Sequence, residues 1–269
     1  MKRRVVLIFV LRGFAEGEDA IGNGMVTSSD AGLTWSEVRD LSDQWGPASG
    51  SMPGPGTALQ LEGPVVDAGR LLVVSHHGAY QRDFVTLSDD GGSSWRTINQ
   101  TFESMDEAAL TQLPNGSVLV NMRHAQSSTL GRAFATSMDD GISWSPIRYD
   151  ATLVSPVCQA SIVSFDGATY FSNPDSSSGR DHLTIRKSVD SAASWSAGSI
   201  VVQEGPSAGY SCLVRGQLAT QHADGGPMGG ILYEAVGGDI QFARFPLSMK
   251  AETWKGSPHP RATTLGHNE

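Results

Sequence analysis

Ser137-Met138-Asp139-Asp140-Gly141-Ile142-Ser143-Trp144 is one copy of an eight-residue pattern that occurs four times in the chain. The other copies are Ser28-Ser29-Asp30-Ala31-Gly32-Leu33-Thr34-Trp35, Ser88-Asp89-Asp90-Gly91-Gly92-Ser93-Ser94-Trp95 and Ser188-Val189-Asp190-Ser191-Ala192-Ala193-Ser194-Trp195. The common form is S-x-D-x-G-x-S/T-W, with Ala192 replacing the glycine in the last copy. The aspartates at 30, 90, 139 and 190 are spaced by 60, 49 and 51 residues. Aspartate accepts hydrogen bonds from backbone N–H groups in a turn, glycine takes a positive φ, and the tryptophan ring anchors the turn by burial. Strand-like runs precede the motif, such as Phe84-Val85-Thr86-Leu87 and Thr184-Ile185-Arg186-Lys187. Each copy is therefore a hairpin turn, repeated once in a unit of about 50 residues, the length of a four-stranded propeller blade. The repeat predicts an all-β propeller and carries no chemistry of its own.

Composition agrees. Charged residues make up only 17% of the 269-residue chain, while glycine numbers 31 and proline 13, a balance that favours short strands and tight turns over helices. Six tryptophans and nine phenylalanines can fill a core, which excludes a disordered chain. No apolar run approaches the ~20 residues of a membrane-spanning helix. The net charge of −9 argues against a nucleic-acid partner but leaves room for an anionic small ligand held by local arginines. The two cysteines, Cys158 and Cys212, form neither a zinc motif nor a disulfide framework, and the compartment stays open. Met1-Lys2-Arg3-Arg4 followed by Val5 to Leu11 has the outline of a secretory leader. The apolar run is short, Arg12 ends it and no small-residue cleavage pattern follows, so the segment is read as a buried β-strand.

Six further motifs, in order, give the chain a specific resemblance. They are Gly54-Pro55-Gly56-Thr57-Ala58-Leu59-Gln60, Gly69-Arg70-Leu71-Leu72-Val73-Val74, the unit Asp106-Glu107 with Asn115-Gly116 and Asn121-Met122-Arg123, Cys158-Gln159-Ala160-Ser161, Phe171-Ser172-Asn173-Pro174 with Arg180, and Gly205-Pro206-Ser207-Ala208-Gly209-Tyr210-Ser211. The later Leu232-Tyr233-Glu234 also fits. Together with the four turns, which correspond to the Asp boxes of that family, they resemble the animal-type exo-α-sialidases over nearly the whole chain. The resemblance implies retaining hydrolysis of terminal sialic acids from glycoproteins, glycolipids or oligosaccharides, with no metal and no organic cofactor. Sialidases depart from other retaining glycosidases in using a tyrosine nucleophile. The resemblance places it at Tyr210, with Glu107 as the base that takes its proton. It assigns Arg123 and Arg180 to the clamp on the substrate carboxylate, a task suited to the planar guanidinium fork. Gln159 becomes a polar sugar contact, and His76, His77 and Tyr80 fall where the family lines its rim. Tyr233 and Glu234 read equally as site-lining or as ordinary strand residues.

Two family features have no counterpart. The F-R-I-P segment with the first clamp arginine is missing, as is the early aspartate that acts as general acid. Arg12 and Asp19 are the available stand-ins, yet their surroundings match a later blade. The expectation is a single domain over residues 1–269, a six-bladed-type sialidase propeller lacking its first blade. The alternative is a catalytically impaired sialic-acid-binding or structural Asp-box propeller.

Overall fold

The structure is a computed structural model that describes residues 4–12, 21–46, 51–63, 69–196, 200–206, 209–218 and 227–248, the side chains of 12, 21 and 215–218 excepted. Among these residues the chain forms five antiparallel sheets, all but the second a simple meander. The first holds β1 (Val5–Arg12), β2 (Ile21–Ser28) and β3 (Arg39–Asp40). The second holds β4 (Ser51–Pro53), β5 (Leu59–Gln60), β6 (Leu71–His77), β7 (Arg82–Ser88) and β8 (Arg96–Glu103), ordered β4-β6-β7-β8 with β5 beside β6. The third is β9 (Met105–Gln112), β10 (Val118–His124), β11 (Arg132–Ser137) and β12 (Arg148–Asp150). The fourth is β13 (Ser161–Phe165), β14 (Ala168–Pro174), β15 (Leu183–Ser188) and β16 (Ile200–Gln203). The fifth is β17 (Ser211–Leu218), β18 (Met228–Glu234) and β19 (Ile240–Pro246). The fold is an all-β propeller with five blades among the described residues. The first strands β9, β13 and β17 of successive sheets lie against one another.

All four repeated turns have the same construction. In the second copy Ser94 donates its N–H to Asp90 Oδ1 and its hydroxyl to Asp90 Oδ2, at 2.8 and 2.7 Å. Ser88 donates to Asp90 Oδ1 at 2.8 Å and accepts from the Gly92 N–H at 2.8 Å. The fourth copy keeps these bonds although Ala192 replaces glycine, because Ala192 itself adopts a φ of 61°. Each turn lies between the last two strands of its sheet.

The tryptophan that closes the turn reaches back to the preceding sheet. Trp95 packs beside Trp45 and Met25, which belong to or follow the first sheet; Trp144 packs edge-on against Phe102 of β8. Side chains of the preceding sheet also hold the turn's backbone. Gln44 accepts the Trp95 N–H, Gln100 bonds both the N–H and C=O of Trp144, and Arg148 donates to Ala192 O. Trp35 belongs to the first copy and has no described sheet before it. It is 43% exposed, against 6% for Trp95 and 7% for Trp144.

The Val5–Leu11 segment is a strand, but not a buried one. Val6 and Ile8 pack toward the second sheet, while Val5 and Leu7 on the opposite face are exposed. With a side-chain period of two, covering one face leaves alternate residues in water.

Two tests follow. Trp144→Ala should lower unfolding free energy by about 3–5 kcal/mol, the usual loss for a buried aromatic, whereas Trp35→Ala should change it by no more than about 0.5 kcal/mol. Denaturant titration of both variants measures the contrast, and equal losses would contradict the stacking scheme. The second test is acid. Bonds from Thr34 hold Asp30 down to about 2, and bonds from Ser94 and Ser194 do the same for Asp90 and Asp190. Asp139 is lowered as well: burial pushes it upward, and the bonds from Ser143 outweigh that. A carboxyl with a depressed folded pKa contributes stability above its unfolded value of 3.8 and loses it as pH falls toward 2. Unfolding midpoints should therefore drop over that window, with a shallower drop in Asp90→Asn; superimposable acid profiles would refute the assignment.

Candidate active site

Four sheets contribute to one cluster. Glu107 lies on β9 and Arg123 on β10, where the register shifts between Met122 and Arg123. Such a bulge re-aims the side chain beside it. Tyr210 immediately precedes β17, and Arg180 sits on the loop joining β14 to β15. Tyr80 lies at the turn between β6 and β7.

The Tyr210 hydroxyl donates a short hydrogen bond to Glu107 Oε1. Arg123 Nη1 donates to the other carboxylate oxygen at 2.5 Å and stands 3.4 Å from the Tyr210 hydroxyl. Arg123 Nη2 donates to the Tyr80 hydroxyl at 2.6 Å. The Arg180 guanidinium lies 5.5 Å from the centre of the Tyr210 ring. Thus the structure brings Tyr210, Glu107, Arg123 and Arg180 together from positions spread over more than a hundred residues. Burial, reinforced by the bond to Glu107, pushes the Tyr210 phenol well up from its ordinary value. Arg123 loses some basicity to burial, but the Glu107 carboxylate more than restores it. Tyr210 is therefore a neutral phenol beside a carboxylate that already holds its proton in a hydrogen bond.

The backbone around Tyr210 is fixed from both sides. Glu234 accepts the Tyr210 N–H at 3.2 Å and returns its own N–H to Tyr210 O at 3.0 Å. Gln159 accepts the Ser211 N–H and donates to Ser211 O, both at 3.0 Å. The structure thus gives Gln159 partners on the protein: it is buried, and its amide holds the strand that follows Tyr210. Glu234 does the same for Tyr210 itself, whereas Tyr233 donates its hydroxyl to Gln241. Gly209 has a φ of 96°, and a Cβ there would stand 2.8 Å from Cys158 Sγ and 2.9 Å from Arg180 Cδ. Only glycine lets Arg180 approach the chain so closely.

Charges beneath the cluster are balanced by burial. Asp106 accepts the Glu107 N–H at 2.8 Å, and His76 Nε2 stands 3.5 Å from the same oxygen. His76 is 6% exposed, so it lies under the site and not at its rim. β6 is covered on both faces, with Leu72 to His76 all buried. Burial lowers its pKa, against the pull of Asp106, and favours the neutral ring. Asp83 is paired with His76 across β6 and β7 and has no hydrogen-bond partner; burial and then the Asp106 charge raise its pKa well above the usual range. The fully buried Arg132 bonds Asn121 and the Cys158 carbonyl, and burial pulls it down to about 10. A pocket of about 140 Å³ opens beside Tyr210, between Pro55, Gly56, Gln159, Cys212, Tyr233 and Glu234. Glu107, Arg123 and Arg180 do not line it, so the reacting cluster stands at its edge. Asp19 and the side chain of Arg12 lie outside the described residues.

Comparison with known proteins gives a consistent assignment. Residues 1–222 match the BNR repeat-like domain. The chain is 36% identical to a sialidase of Micromonospora viridifaciens over 242 residues, covering 83% of this chain and 35% of that one. It is 28% identical to Sialidase-2 of Mus musculus over 243 residues, covering 78% of this chain and 60% of the mouse protein. The similarity is thus to bacterial as well as animal sequences, and the chain spans less than two thirds of either relative. Among solved structures, a Hadza microbial sialidase superposes with a TM-score of 0.70 at 25% identity, over 91% of this chain and 50% of that one. The chain belongs to the BNR repeat-like domain family, and the relatives it matches are sialidases.

Proposed function

We propose that the chain carries the nucleophilic centre of a retaining exo-α-sialidase, acting on terminal sialic acids of glycoproteins, glycolipids or oligosaccharides. The observation that carries this reading is the hydrogen bond from Tyr210 to Glu107, with Arg123 on the second carboxylate oxygen. A sialic acid has a carboxylate on its anomeric carbon, so an anionic nucleophile would approach against like charge. A neutral phenol avoids that repulsion. The raised pKa of Tyr210 makes it a poor nucleophile by itself, so its proton must leave as the new bond forms.

The chemistry runs in two displacements. Tyr210 oxygen bonds to the anomeric carbon while its proton passes to Glu107. The glycosidic C–O bond breaks, its electron pair goes to the leaving oxygen, and a general acid protonates that oxygen; no described residue is assigned to that last role. Water then attacks the same carbon and gives one proton to the conjugate base of that general acid, the tyrosyl C–O bond breaks, and Tyr210 recovers its proton from Glu107, which restores all three groups to their starting forms. Two inversions give retention. Arg123 and Arg180 hold the substrate carboxylate through charge-assisted bonds, and Glu234 and Gln159 keep the Tyr210 backbone in register. In the same reading residues 1–269 are one unit of a six-bladed-type propeller. The exposure of Trp35, with no sheet before it among the described residues, supports a further blade stacking there.

Kinetics of Tyr210→Phe and Glu107→Gln on a sialyl oligosaccharide, in a preparation with measurable turnover, test the proposal. Tyr210→Phe should abolish the retaining reaction. Glu107→Gln should reduce kcat by about 10²–10⁴-fold, the usual worth of general acid–base catalysis. A Glu107→Gln enzyme within a few-fold of the parent would eliminate Glu107 as the base.

A further inference from the structure

Tyr80 occupies the turn between β6 and β7 with a φ of 54°, in the left-handed region that a bulky aromatic residue seldom adopts. Strain of this kind persists where the surroundings impose it, and such positions cluster at ligand sites. The residue points into the cluster. Its hydroxyl accepts the 2.6 Å bond from Arg123 Nη2, and the guanidinium lies 5.4 Å from its ring centre. A phenol that accepts from an arginine still has its own proton to give. Among the described residues nothing accepts it. Donation from Arg123 also polarises the O–H and strengthens it as a donor.

We propose that Tyr80 is a third member of the carboxylate clamp, donating its O–H to the same anionic group that Arg123 and Arg180 bind. The proposal rests on the sialidase reading and adds a neutral donor to it. A neutral donor can stand beside Arg123 without adding positive charge next to Tyr210 and Glu107. It also gives one carboxylate oxygen a bond whose direction is set by the turn.

The test separates the carboxylate from the rest of the sugar. Binding of a didehydro sialic acid analogue and of its methyl ester is measured by calorimetry on the full chain, with parent and Tyr80→Phe proteins matched for thermal unfolding. The parent should prefer the acid. Tyr80→Phe should weaken acid binding by about 10- to 100-fold, the range for a lost bond to a charged group, and leave ester binding unchanged. Unchanged acid affinity, or equal weakening of acid and ester, would overturn the role of Tyr80 while leaving the sialidase reading intact. A parent protein that does not prefer the acid would overturn both.

Discussion

Each repeated turn fixes its own sheet, and in the second and third copies the tryptophan seats that sheet on the one before. This contact between consecutive sheets is what the remainder of the molecule depends on. The aspartate satisfies the turn's donors, so the tryptophan emerges from it in a fixed direction. A ring of that size removes roughly 150–250 Å² from water, which outweighs any single hydrogen bond in the motif. The hydrogen bonds supply orientation instead. Gln100 grips both backbone groups of Trp144, and Arg39 donates to the carbonyls of Gly92 and Ser93, so that apolar stacking and polar registration act at the same junction.

Stacking in chain order explains how residues so distant in sequence come to meet. Glu107 and Arg123 are neighbours across one hairpin pair, but Tyr210 reaches them only because β13 lies between β9 and β17. The cluster then resolves its own electrostatics. Two buried or half-buried arginines face the carboxylates of Asp106 and Glu107, and burial keeps Asp83 and His76 toward their neutral forms. Ionising Asp83 would place a third negative charge in that space. The same burial, with the bond to Glu107, holds the Tyr210 proton on the phenol.

Much of the architecture was legible because it is written locally. Four turns at nearly constant spacing require only short-range chemistry, and Asp30, Asp90, Asp139 and Asp190 all make the bonds their motif implies. Tyr210, Glu107, Arg123 and Arg180 could be named from motifs surrounding them. The contacts of Gln159, Glu234 and Tyr80 could not, since each depends on a partner that only folding brings near: Ser211, Tyr210 and Arg123. Gln159 lines the pocket beside Tyr210 and also holds the Ser211 backbone with its amide, a second contact that no local motif announces. His76 sits in a run with His77 and Tyr80 that reads as a rim, and only the covering of both faces of β6 separates its buried side chain from the Tyr80 turn. The burial of the first strand was also beyond reach. Its apolar run is the same whether one face or two is covered, and neighbouring sheets decide which.

The central claim is that Tyr210 forms the covalent bond to the sugar. It is tested most directly by incubating a turnover-competent preparation with a fluorinated sialosyl fluoride, which slows release of the intermediate, followed by peptide mass mapping. The account predicts one sialosyl adduct, located on Tyr210 and absent from Tyr210→Phe. An adduct on Glu107 or any other residue, or a label that persists in Tyr210→Phe, would contradict it.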